Sequence, residues 1–171
     1  MLDIALDADP EWDSSGHIDG GWSGLARSAA TAAIAESAFP QLGAGPRTVE
    51  LGVRLTGDEE VRALNSQWRG KDRPTNVLSF PLADADEFER AVVDGPELML
   101  GDIVLARGVC AAEAADKGIA IETHASHLLV HGTLHLLGYD HHDDDAATDM
   151  EAREVRALAR LGIADPYGDR G

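Results

Sequence analysis

The stretch HGTLHLLGYDHH, residues 131 to 142, constrains the fold more than any other part of this 171-residue chain. His131 and His135 are four residues apart, which on a helix turns two side chains only about 40° from each other and sets them about 6 Å apart along the axis. Both imidazoles therefore leave one face of one helix and can reach one ion. Gly138 ends that helix and lets the chain reverse, so that His141 or His142 can supply a third nitrogen. Three protein nitrogens leave the fourth position of a tetrahedral zinc to water, as in catalytic rather than structural sites. Six of the seven histidines lie between 124 and 142. His127, one turn before His131, is expected to support the site by hydrogen bonding, whereas His17 and His124 are expected at the surface. Asp140 and Asp102 are further candidates for partners of the ligands.

Gly132 occupies the place where a zinc protease of the HExxH type carries its general base. Peptide hydrolysis by that route is therefore disfavoured. The missing base matters less to a metal hydrolase in general, because zinc lowers the pKa of its bound water to about 7.

The rest of the chain intermixes strand and helix patterns. LDIAL reads as a short strand, and GLARSAATAAIAESAF as a helix that ends before Pro40. In TVELGVRLT, Val49, Leu51, Val53 and Leu55 alternate as one buried strand face. EEVRALNSQW repeats Val61, Leu64 and Trp68 at helical spacing. VLSFPL and LGDIVLA add two strands, separated by the acidic connector DADEFERAVVDGPE, which reads as a mobile loop. ARGVCAAEAADKG reads as a helix stopped by Gly118, IETHASHLLVHGTLHLLG as a longer one from about Thr123 to Gly138, and DDDAATDMEAREVRALARLG as the last. These elements predict one α/β or α+β domain over residues 1–171. The single cysteine, Cys110, cannot form an internal disulfide and is expected as a small buried thiol.

No apolar run approaches the roughly 20 residues that cross a bilayer. The opening MLDIALDADPEWD lacks a basic leader, so the expectation is a soluble, cytoplasmic protein. The net charge of −17 opposes unaided tight binding of nucleic acid. Against that background WRGKDRPTNVLSFP stands out, with Arg69, Lys71 and Arg73 within five residues and Lys71 one of two lysines in the chain. Any RNA has to be held locally.

HGTLHLLGYDH, together with WRGKDRPTNVLSFP and LGDIVLA, resembles the YbeY family of metal-dependent endoribonucleases that mature ribosomal RNA. The tail with Met150, Glu154 and LGIADPY is also similar, so the resemblance covers about residues 48 to 167. It implies His131, His135 and His141 as ligands of one zinc per chain, deciding for His141 over His142, and Arg69 as the important arginine. The fold it implies is α+β and zincin-like, a mixed sheet of about four strands beside the helix that carries the ligands. The activity it implies is single-strand endoribonuclease action in small-subunit rRNA 3′-end processing and in ribosome quality control. The partners are then ribosomal RNA and the small ribosomal subunit, with a ribosomal protein as a source of the RNA affinity an acidic chain lacks. No membrane or DNA partner is expected.

A guanidinium can pair in a fork with the non-bridging oxygens of a phosphodiester as charge builds there. Arg69 is the candidate for this clamp. Lys71 and Arg73 would position phosphates, and Asn76 and Ser79 would hydrogen-bond the substrate or cap the loop. Two other readings compete: a metal-dependent hydrolase of peptides or small molecules, and a non-catalytic ribosome assembly factor with structural zinc.

Overall fold

The structure, a computed structural model, describes residues 1–13, 20–90 and 95–167. The alternation of Val49, Leu51, Val53 and Leu55 becomes strand β2 (Val49–Thr56), with all four side chains buried on one face. Strand β1 (Leu2–Ala8) runs parallel to β2 on one side and β4 (Leu98–Ala106) parallel to it on the other. Strand β3 (Val77–Pro81) lies antiparallel at the outer edge of β4, giving a mixed sheet of order β1-β2-β4-β3. Parallel neighbours need a crossover, and helix α1 (Gly21–Ala35) makes the one between β1 and β2. Its buried stripe of Ala26, Ala29, Ala30 and Ala33 presents only methyl groups, so α1 lies close against helix α6 (Ile121–Leu136).

The continuous core sits between β2, β4, α1, α6 and helix α7 (Asp144–Arg160). A smaller cluster of Val61, Leu78, Val104 and Ala106 lies on the other side of the sheet, under helix α3 (Asp58–Arg69). Helix α7 starts firmly: the Asp143 carboxylate accepts from the Ala146 N–H at 2.7 Å, and Asp144 and Asp145 sit in its positive first turn. The short helices α2 (Gln41–Ala44), α4 (Ala85–Arg90) and α5 (Arg107–Lys117) complete an α+β domain.

Three expectations change. The acidic connector is not simply a loop: Asp84 and Glu87 each accept the other's backbone N–H, at 3.0 and 3.4 Å, and so start α4. Phe88, 1% exposed, then anchors that helix against Phe39 at a centroid distance of 5.1 Å; residues 91–94 of the connector lie outside the described residues. Helix α6 starts at Ile121 rather than near Thr123, and ends at Leu136. His124 is not a surface residue. It is 3% exposed, and its Nε2 lies 2.8 Å from Glu113 on α5, a partner the linear sequence does not reveal. His17 lies outside the described residues. Burial pushes the Cys110 thiol up to about 12, which keeps it protonated and inert. Among the described residues no helix is long and apolar enough to cross a membrane.

Candidate metal centre

The rings of His131 and His135 leave the same face of α6, with centroids 4.5 Å apart and their Nε2 atoms 3.0 Å apart. Gly138 adopts φ +98°, which turns the chain back along the helix. His141 then enters from the loop, 5.4 Å from the His131 ring and 5.1 Å from the His135 ring. One ligand nitrogen from each of the three lies within 4.8 Å of the other two. His142 turns outward to Asp143, at 3.2 Å. The loop itself is pinned. The Tyr139 hydroxyl accepts from the Ala38 N–H at 2.9 Å, Arg153 lies 4.8 Å over the Tyr139 ring, and the Asp140 carboxylate accepts from the His141 N–H at 2.8 Å. That last bond holds the Asp140 carboxyl below its ordinary range.

Sequence reasoning placed no role on Glu154, yet it organises the site. It projects from α7 with no exposure, beside Met150, Ala157 and Leu158. One carboxylate oxygen accepts from Nδ1 of His131, and the other meets the Tyr167 hydroxyl and, at 3.2 Å, Nε2 of His127. Burial alone would raise its pKa. The hydrogen bonds from His127, His131 and Tyr167 outweigh burial and keep it well below the usual carboxylate range. A proton on Nδ1 of His131 leaves the Nε2 lone pair facing the cavity, as a ligating histidine requires. The readable signal was an acidic residue on the apolar stripe of the last helix.

Gly132 also finds its reason here. A Cβ at this position would stand 3.0 and 3.1 Å from Ile103 side-chain atoms of β4 and 3.1 Å from Oγ of Ser79 on β3. The helix seats directly on the sheet at that point, so a side chain there would have to push the Ile103 and Ser79 side chains back by a few tenths of an ångström.

The donor set fits a divalent ion. Two nitrogens bound at 2.0–2.1 Å to one tetrahedral zinc stand about 3.3 Å apart, close to the His131 and His135 separation. His135 is pushed down to about 4, first by burial and then by the nearby His131 and His141, so its ring is neutral and able to ligate.

A cavity of about 550 Å³ opens in front of the three rings. Arg69, at the end of α3, lines it together with Ser79, Asn76 and Asp140. The Asn76 amide donates to Glu113 at 3.0 Å, so it ties the basic loop to α5. Lys71 and Arg73 are exposed farther along that loop and do not line the cavity. Asp102 corrects an expectation: it does not support the histidines. Its neighbour Ile103 faces α6, and strand alternation aims Asp102 at the opposite face of the sheet.

The family model for the endoribonuclease YbeY matches residues 24–162. The chain belongs to the YbeY family. It is similar to the endoribonuclease YbeY of Rhizorhabdus wittichii, 51% identical over 169 residues that cover 98% of this chain and 97% of the relative. It is 50% identical to that of Sphingopyxis alaskensis, with 99% of each chain covered. Membership in the YbeY family makes it a nuclease of the hydrolase class. In fold it is similar to the solution structure of TM1509 from Thermotoga maritima, with TM-score 0.52, 23% identity, and 97% of this chain and 98% of that one covered.

Proposed function

We propose that the chain is a zinc-dependent single-strand endoribonuclease that acts in ribosomal RNA maturation, at the small-subunit 3′ end, and in ribosome quality control. One observation carries this reading: His131, His135, His141 and the cationic Arg69 line one cavity. A divalent ion, when bound by the three histidines, supplies Lewis-acid polarisation and a more acidic water. The chain's own groups do the rest. Arg69 has no ion-pair partner among the described residues, so its guanidinium is free to donate in parallel to two non-bridging phosphate oxygens as their charge grows. Glu154 keeps the His131 ring in the tautomer and orientation that face the cavity. The Ser79 hydroxyl, beside the helix at Gly132, orients the strand being cut. Lys71 and Arg73 take phosphates farther along it.

Gly132, which stands where the general base would be and packs closely on Ile103 and Ser79, weighs against a protease of the HExxH type. The net charge of −17 weighs against unaided RNA affinity; on this reading the small ribosomal subunit presents the substrate in the cytoplasm, and a basic ribosomal protein supplies affinity. The test is incubation of small subunits and of free RNA with the wild type and with Arg69→Ala, each with and without chelator. Cleavage falls about 10²- to 10³-fold in the variant while its metal content stays unchanged. Cleavage that survives both chelation and the substitution ends the proposal.

A further inference from the structure

A second depression lies on the other face of the sheet. Ala5, Gly52, Asp102 and Phe80 are successive register partners on β1, β2, β4 and β3, so they form one row across the strands. The two small residues hollow the row into a groove of about 950 Å³. Trp68 of α3 stands at its side, 64% exposed, with its ring 6.4 Å from that of Phe80 and edge-on to it. Arg69, Ser79 and Pro81 line both this groove and the histidine cavity, so the two are continuous around the edge strand β3.

Charge decides what the groove accepts. Arg54 lines it, but its guanidinium is taken by Asp7 at 3.1 Å, Asp9 at 2.9 Å and Glu60 at 3.0 Å. Asp102 is exposed and has no hydrogen-bond or ion-pair partner among the described residues. Away from Arg69 the groove therefore offers a bare acceptor, which repels a phosphate. Aromatic faces beside a carboxylate suit a nucleobase, whose face stacks while its edge donates. Adenine, cytosine and uracil each set an acceptor beside every donor of their pairing edge. Guanine alone presents N1–H and N2–H side by side, the fork that two carboxylate oxygens accept.

We infer that this groove is a guanine pocket, which holds a base next to the phosphate cut at the histidine cavity. The inference rests on the RNA-cleavage reading above, and it adds a sequence preference to it. Asp102 is the specificity-determining residue, and the exposed Trp68 is the stacking platform, with Phe80 edge-on beside it. A lysine-bearing peptide would also satisfy a carboxylate, but continuity with the histidine cavity and an exposed indole favour a base.

The experiment measures binding apart from cleavage. Labelled single-stranded RNAs, alike except for guanine, inosine or adenine at one position, are titrated by fluorescence anisotropy against the full, chelator-treated chain. Inosine, which lacks the N2 amino group, binds about tenfold more weakly than guanine. Asp102→Asn cuts that preference below about twofold, whereas Trp68→Ala weakens all the RNAs by about tenfold. Equal affinity for the three RNAs, or a guanine preference that survives Asp102→Asn, overturns the pocket. So does binding of a lysine-rich peptide that Asp102→Asn abolishes while RNA affinity is unmoved, since the groove then serves a protein. If the metal-loaded wild type cuts no RNA, the nuclease reading falls separately, and the anisotropy preferences still decide the pocket.

Discussion

Where α6 meets the sheet, a single added methyl group on Gly132 would press on the Ile103 and Ser79 side chains at 3.0 to 3.1 Å. On the opposite face, Gly52 borders an open groove, and a methyl group there would stand 2.1 Å from Oδ1 of Asp102, an exposed side chain that has to rotate aside. The first face carries the continuous core of α1, α6 and α7; the second carries a small cluster under α3 and is open beyond it. Ligands on a close-packed helix keep their geometry without rearrangement, because packed interiors resist displacement. A substrate needs the reverse, a surface with room. Arg69 stands at the junction and lines both spaces.

Loss of a metal ligand on the packed face has the largest effect. His135→Ala removes one of three ligands, so metal content measured by mass spectrometry drops from about one ion per chain to background and cleavage disappears. A variant that keeps its metal would detach the packed face from the chemistry. Acid comes next. The folded pKa of His135, about 4, lies below its ordinary 6.5, so the folded form takes up its proton later than the unfolded chain. Its contribution to stability is whole above pH 6.5 and is lost as pH falls toward 4. Glu154, also depressed, adds a loss of the same sign below its ordinary 4.5. Denaturant midpoints of chelator-treated protein therefore drop across that window, and a flat profile would contradict the burial assigned to these groups.

Glu154→Gln keeps the shape but loses the charge that holds His131, His127 and Tyr167. Metal affinity by chelator competition falls about 10- to 100-fold. The smallest and most direct comparison is a pair of glycines. Gly132→Ala costs about 1–3 kcal/mol in equilibrium unfolding, as overpacking does, whereas Gly52→Ala stays within about 0.5 kcal/mol, as expected where only an exposed side chain must move. Equal costs would show that the two faces are packed alike.

Local geometry was legible in the chain alone. Helical spacing puts His131 and His135 on one face, Gly138 permits the reversal, and alternation defines β2, because these follow from backbone periods that neighbours in the chain share. The acidic connector misled because a capping pair and one buried phenylalanine outweigh a polar composition. Between His141 and His142 local spacing left the choice open, and the family resemblance made it. Burying His124 against Glu113, bringing Glu154 under His131 and turning Asp102 away from the histidines came only with the tertiary structure. Each depends on contacts between elements distant in the chain, and those are set by how α5, α6, α7 and the sheet pack, which no local pattern encodes.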